Sequence, residues 1–562
     1  MSKKGVSRGS DHSAAAKQYA KVAMLRSTVL TGGLLTLGIL LSGASPARAT
    51  TVQLGDYTIT LQSTVGYTFG DRTAPLDNEA ININDDDGDR NFKSGVMADR
   101  FQTLEQFGIK KGDYGLRASA LAYIDTTYLQ DNKNNSPSTV NGFGFGPKGF
   151  PGGTVANEGR DFEPLAIFVY GAESFGGGEQ KLSWQLGRQT ITWGETLFSL
   201  EGISGLQAPV DLYQAQLLPN PQAQALFLPT GAASLSYDFG SGISAAAYWQ
   251  FEYKPTTLPG VGSYFSQFDF AGPGAQRILV PLPPPANMLY GPYGAFYRTG
   301  DIRPTNGLDQ FGFSAHDTIG SYTLGAYFVR AVPKTPSISI TPAAPGPGAA
   351  GLSLGRYALE YGLPVNAYAI SASTIFMGAN VAGEISGRTN QPLLSEAINS
   401  PGSDISYGNT DYARGDVVNA DLSALYLTEP LPLMPNGATI AGELTWNKVV
   451  SVTSHKSSLI PGNNSVGGSF EATFTPAWYP RSDIEVQTPI GWTNTFLGDS
   501  QYGQTIYAAQ ATAGSSTIDM GVQAIYKNSL TLGANYQRYA GPPNRQALID
   551  RDFVTVFVQK TF

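Results

Sequence analysis

FVTVFVQKTF, residues 553–562, alternates along an extended chain. Val554, Val556 and Val558 fall on one face and Thr555, Phe557, Gln559 and Thr561 on the other. A water-soluble domain has little use for a last strand that is apolar on one side and ends on an aromatic residue. The closing strand of a barrel in a bacterial outer membrane does: it shows lipid an apolar side chain at every second position and pairs with the first strand, leaving no open edge. Phe562 is read as the assembly signal of such a barrel.

The same period runs through the chain. In 242–254, Ile243, Ala245, Ala247, Trp249, Phe251 and Tyr253 share one face, against Ser244, Tyr248, Gln250, Glu252 and Lys254. In 112–125, Tyr114, Leu116, Ala118, Ala120, Ala122 and Ile124 oppose Arg117, Ser119, Tyr123 and Asp125. In 437–448, Ile440, Gly442, Leu444 and Trp446 oppose Glu443 and Thr445. Charges confined to the minority face suit a lipid-facing side and a wet lumen. A sandwich strand also alternates, so the connections have to separate the two readings.

They do so by length. Predicted strands cover 57–71, 95–109, 113–128, 162–175, 180–193, 230–239, 242–254, 307–318, 321–332 and 365–376. They continue over 379–389, 415–428, 438–450, 467–479, 483–495, 515–526, 529–540 and 550–562. Every second connection is short, such as FGSG at 239–242 and KN at 527–528. Those between are long, such as 129–161, 194–229, 255–306, 332–364 and 390–414. Tight periplasmic turns alternating with long extracellular loops predict a transmembrane antiparallel β-barrel of about 18 strands (16–18), with both termini in the periplasm.

At the other end, residues 1–49 carry Lys3, Lys4, Arg8, Lys17, Lys21 and Arg26, then an apolar core, then A-R-A ending at Ala49. This reads as a secretory signal peptide removed after export, leaving 50–562 as a single barrel domain. The chain of 562 residues has no cysteine, 66 glycines, 29 tyrosines and 14 % charged residues. Disulfides and thiolate metal sites are excluded. Past residue 49 no stretch approaches the roughly 18 apolar residues of a spanning helix. A net charge of −8 without a basic stripe argues against a nucleic-acid partner.

Seven stretches, in order over the mature chain, resemble the proteobacterial outer-membrane family called domain of unknown function 1302. They are DDDGDRNF (85–92), LGRQTITWGET (186–196), APVDLYQAQLLPN (208–220), YWQFEYKPTTLPGVGSYFS (248–266), YALEYGLPVNAYAIS (357–371), GEISGRTNQPL (383–393) and DRDFVTVFV (550–558). The resemblance implies an exported barrel that meets outer-membrane lipid, lipopolysaccharide and the barrel assembly machinery. It also implies a periplasmic partner, an inner-membrane exporter of the resistance-nodulation-division type, and handling of hydrophobic compounds such as lipids or sterols. It brings no catalytic residues and no cofactor. One departure is Lys560, where family tails carry an aromatic; on the Val558 side it is placed to snorkel to water at the periplasmic rim.

Enzyme chemistry finds little support. His316 and His455 are the histidines beyond residue 49, neither beside a G-x-S-x-G elbow, and two separated histidines cannot build the usual zinc shell. The acidic run 82–91 has the look of a calcium loop. With Gly88 at position six, Asp85 and Asp87 sit at three and five, but Ile83 and Ser94 fall at one and twelve, which excludes an EF-hand. A looser cation site around Asp85, Asp87 and Asp89 stands beside the plainer reading of a solvated acidic loop.

The segment 194–229 is too apolar for a solvated loop. Residues 210–220 predict one or two helical turns before Pro219, and 221–229 a second short piece from Pro221. A barrel this wide holds an open aqueous channel, so an apolar loop folded inward would narrow it and make it greasy. The loop 255–306 is rich in aromatics, and its prolines argue against regular structure over most of its length. The expected ligand path runs along Leu212, Leu217, Leu218, Leu226, Phe227, Tyr264 and Phe265. The expected lumen charges are Arg117, Glu252, Glu384, Arg388 and Glu443, with Arg188 turned inward by a bulge near Gly187. Three function classes follow: a channel or carrier for hydrophobic or amphipathic compounds, a general porin for small polar solutes, and an outer-membrane enzyme.

Overall fold

A computed structural model describes residues 50–562 apart from short stretches at 78–80, 94, 143–147, 219–222, 306, 396, 400, 402–405, 410, 432–433, 435–436, 461–465, 499–501, 503–512 and 544–545. The expected signal peptide and the helix start at Pro221 lie outside the described residues. Eighteen strands close into one antiparallel barrel, each bonded to its neighbour along the chain. Ile484–Gln487 and Ile490–Leu497 form one wall strand interrupted at Pro489; both pieces lie between Val466–Arg481 and Ser516–Tyr526. Proline has no N–H for the ladder, which explains the break.

The ring closes where Tyr57–Arg72 pairs with Phe553–Thr561, Arg72 opposite Phe553 and Thr64 opposite Thr561. Phe553, Thr555 and Phe557 are buried inside, and Val556 is exposed outside. The Phe562 N–H donates to the Ser63 carbonyl at 2.9 Å, and Lys560 lies 5.7 Å from the Phe562 ring. A short strand absent from the sequence reading, Thr50–Leu54, folds back on the start of the first wall strand, Thr50 opposite Leu61.

Turn chemistry explains the hairpins. Lys527 and Asn528 both have positive φ (47° and 54°), the backbone of the primed two-residue turn whose twist matches paired strands. Around the barrel, Phe101, Ile167, Leu186, Phe313, Ile370 and Trp492 stand exposed on the outer face. An apolar belt on a closed sheet is what lipid contact requires, and the protein is an outer-membrane barrel. Among the described residues no helix is long and apolar enough to cross a membrane.

The long loops hold more order than the sequence reading allowed. Arg277–Pro281, Tyr293–Arg298, Ser337–Gly348, Gly351–Glu360 and Ala397–Ile398 form a second, five-stranded sheet on the extracellular side. The prolines counted against structure in 255–306, and those of 332–364, sit at its tolerant places. Pro281 ends a strand, and the register of Ser337–Gly348 shifts between Pro342 and Gly346.

Candidate functional site

Residues 194–229 fold into the lumen, and their first half is pinned by side chains that the wall points inward. Glu443 accepts the consecutive N–H groups of Leu197 (2.8 Å), Phe198 (2.7 Å) and Ser199 (2.6 Å). Glu384 accepts from Glu195 (3.0 Å) and Ile203 (2.7 Å). From the same wall strand, Arg388 Nη2 donates to the carbonyls of Leu200 (3.1 Å), Glu201 (2.6 Å) and Gly202 (2.6 Å). Successive amides in such a turn form an anion-binding concavity, here filled by the protein's own carboxylate. A Cβ on Gly194 would stand 2.5 Å from Glu384 Oε2 and one on Gly202 2.8 Å from Oε1, so glycine is required at both for the carboxylate to seat. Both carboxylates are thereby satisfied by backbone N–H groups, the condition for keeping them out of water.

The second half is held by apolar packing. Leu212–Leu217 is a short helix capped by Asp211, which accepts the Gln214 N–H at 2.9 Å, and Ala223–Leu226 is another. Leu212, Leu226 and Phe227 pack with Leu258, Ala271, Tyr357 and Leu359, joining the inserted segment to the extracellular sheet. Tyr213, Leu217 and Leu218 pack with Tyr264 and Phe265 against the wall residues Met97, Tyr539 and Phe553. Ile203 and Leu206 meet Tyr248, Val329 and Val365, while Ala225 and Leu228 meet Leu104, Leu121 and Leu165. These wall contacts come from strands all round the ring, so the segment spans the lumen as a plug.

The residues of the expected ligand path lie within these contacts. Leu217, Leu218, Leu226, Phe227, Tyr264 and Phe265 are core residues of the plug, each under 5 % exposed. Leu212 borders a cavity of about 70 Å³, beside Lys334, Glu201 and Arg388. Lys334 sits there with its ammonium group on Gln310, and burial pushes its pKa down to about 7. At the mouth a larger hollow of about 490 Å³ opens beside Asp309, Arg330, Asn366 and Tyr407.

The lumen charges divide. Arg117 shares its face with Leu121 and Tyr123, 5.8 Å from the Tyr170 ring, while Glu384, Arg388 and Glu443 are the pins just described. Glu252 is not in the lumen. The N–H groups of Phe251 and Glu252 both reach the Gly231 carbonyl (2.9 and 3.3 Å), a bulge that brings Glu252 to the outer side. There it meets Arg188 at 2.5 Å. Arg188 faces out as well: the ladder is regular past Gly187 and sets Arg188 opposite Ile167, itself exposed.

The acidic run is also rearranged. Asp89 is bound by Arg551 (2.7 and 2.8 Å) and is unavailable as a cation ligand, and Asp85 is held by Asn82. Burial raises the Asp85 pKa to about 7, the Asn82 amide opposing it. Asp87 lies instead with Asp86 and Asp269, the three offering carboxylate oxygens within 4.8 Å of one another. Burial raises the pKa of both Asp87 and Asp269; repulsion from Asp86 adds to the first and repulsion from Asp87 to the second. His316 is bonded to Tyr327 (3.1 Å) and His455 lies 3.5 Å from Asp411, far apart in the chain.

A family model matches residues 30–562. The chain belongs to the DUF1302 family. That family is described as proteins of unknown function. No curated protein matches the sequence. Among solved structures, Pseudomonas aeruginosa OccD3 (OpdP) is 10 % identical over 95 % of this chain and 98 % of that one, with a TM-score of 0.41. A BenF-like porin from Pseudomonas fluorescens Pf-5 is 9 % identical over 91 % and 99 %, at 0.42. Salmonella typhi OmpF in complex with daunomycin is 9 % identical over 91 % and 100 %, at 0.36.

The site residues that sequence reasoning missed in this family member are Glu201, Asn447 and Asp269. Asn447 Nδ2 donates to Glu201 Oε2 at 2.9 Å, a wall-to-plug bond between positions far apart in sequence. Asp269 had one signal, an acid alone among aromatics in SQFDFAG.

Proposed function

We propose that this protein is an outer-membrane channel of a Gram-negative bacterium for hydrophobic or amphipathic compounds of lipid, fatty-acid or sterol type. The observation that carries the reading is the plug: the lumen is crossed by a segment with an apolar interior, where a general porin needs a water-lined constriction. Movement of the plug exposes leucine and phenylalanine surface along its path, and an apolar or amphipathic solute gains from covering it. The extracellular helix Ala286–Tyr290 adds to this, since Met288 and Leu289 are 83 % and 74 % exposed on its tip. Exposed apolar surface of that kind fits a first contact for a greasy ligand or for lipopolysaccharide. Assembly through the barrel machinery and exchange with a resistance-nodulation-division exporter and its periplasmic partner belong to the same proposal. No catalytic role is assigned to any residue.

A general porin for small polar solutes is the second reading, favoured by the wall itself: Asn419, Asp421, Asn447, Glu471, Gln523 and Gln537 are buried on its inner face. Liposomes carrying the purified protein separate the two. Uptake of a fluorescent fatty acid above that of empty liposomes, with a small sugar retained, is the expected result. Release of the sugar at porin rates without fatty-acid uptake would replace the first reading by the second.

A further inference from the structure

Above the plug, buried carboxylate oxygens from two extracellular segments converge, with a backbone N–H from a third. Asp86 and Asp87 come from the turn entering the helix Asp87–Phe92, and Asp269 from the loop 255–306. Asn141, from the loop 126–159, donates its N–H to Asp87 Oδ2 at 3.0 Å. All four residues are at least 97 % buried.

Among the described residues, their bonds leave oxygens over. Asp269 Oδ2 accepts the Asp87 N–H at 3.0 Å, while Asp269 Oδ1 has no hydrogen-bond partner. Asp86 Oδ2 is taken by Arg90 and Thr139, while Asp86 Oδ1 has none. Asn141 Oδ1 has none either, and Asp87 Oδ1 receives only a long contact from Asn134, 3.4 Å. Buried acceptors left over in this way are costly and ask for a ligand.

The nearby cations do not supply it. Arg90 binds the other Asp86 oxygen, Arg551 binds Asp89, and Arg277 gives its guanidinium to the carbonyls of Val140 (2.6 Å) and Ala350 (3.3 Å). Three carboxylates therefore face one another with two arginines, Arg90 and Arg277, on their rim, one charge short of balance. We propose that Asp86, Asp87 and Asp269 bind one divalent cation, of the calcium class, on the extracellular side. Oxygens bound to one calcium at roughly 2.3–2.6 Å stand at most about 5 Å apart, and the three carboxylates meet that limit at 4.8 Å. Hard oxygen donors exclude a preference for soft metals, and irregular geometry suits calcium better than magnesium.

The cation would staple the loop 255–306 to the first extracellular loop. That loop also carries Tyr264 and Phe265, which cover Leu217 and Leu218 of the plug. Binding is thus a lock on the lid above the plug, and it holds whichever solute the barrel passes.

The test uses full-length, lipopolysaccharide-free protein folded in detergent and stripped with EGTA. Equilibrium dialysis against calcium is expected to give one ion per chain with a dissociation constant in the range of roughly 10⁻⁴–10⁻³ M of extracellular calcium modules, or tighter. The melting temperature should rise with calcium. Asp269→Asn should weaken binding at least about tenfold by removing ligand charge, and Asp85→Asn should leave it unchanged. Absence of stoichiometric calcium on the wild type at millimolar concentration would overturn the proposal, as would unaltered binding by a folded Asp269→Asn. If that variant fails to assemble, terbium bound to the wild type and displaced by calcium at one ion per chain supports the site. Terbium that calcium does not displace refutes it.

Discussion

Residues 194–207 and 208–229 belong to one inserted segment, yet the barrel holds them by a different balance of means. The first half is pinned by Glu384, Arg388, Glu443 and Asn447, which bond to its backbone and to Glu201, and Ile203 and Leu206 add apolar packing on the wall. The second half is packed by leucines, tyrosines and phenylalanines with scarcely a polar bond to the wall. Directional bonds fix where a loop lies, and a few substitutions remove them. Apolar packing closes the lumen and yields only when much surface is exposed to water. The pins therefore set the position of the plug, and the packed half supplies most of its resistance to opening.

The largest effect should come from the packed half. Leu217→Asp with Leu218→Asp loses about 1.5–3 kcal/mol of apolar burial at each position. It adds several kcal/mol for each carboxylate left unpaired inside. The barrel should still assemble, seen as heat-modifiable migration, because its strands are untouched, while the plug becomes open to protease. Full protease resistance in the folded variant would contradict the packing account.

Glu443→Ala comes next. Three buried N–H groups lose their acceptor, at roughly 1–3 kcal/mol each. Cleavage should then concentrate at 194–207 and spare 208–229, and Glu443→Gln should be milder because one acceptor oxygen remains. Equal cleavage of the two halves would erase the distinction between them.

The smallest effect is a pH dependence in the lid. Glu158, outside the wall strands, accepts the Gly260 N–H at 2.6 Å, and burial raises its pKa to about 8. A carboxyl whose folded pKa lies above its unfolded value contributes stability that is complete below the unfolded pKa and is lost as pH rises through the folded one. Glu158→Gln should therefore raise the melting temperature at pH 8 relative to wild type, with no gain near pH 4.5. A gain of the same size at both would remove Glu158 from the titration.

Much of the wall was legible in the sequence because each strand separates lipid from lumen, and that contrast is written into every second residue. Val554, Val556 and Val558 show it in one line. The inward fold of 194–229 was legible from its excess of leucine. Parity also pointed Glu384, Arg388 and Glu443 inward, but not at what they hold, since their partners are backbone groups far away in sequence. Glu252 was misplaced because one bulge opposite Gly231 shifts parity, and no glycine on its own strand marks it. The extracellular sheet was missed because its pairings join loops such as 277–281 and 351–360 through partners that local pattern does not reveal. Asp269 meets Asp87 for the same reason.

Planar-bilayer conductance of the wild type against a chain in which 196–228 is replaced by a short Gly/Ser linker tests the closed lumen most directly. The account predicts little small-ion current from the wild type and large, stable, porin-like steps from the replacement. Porin-like steps from the wild type, or a replacement as silent as its parent, would contradict it.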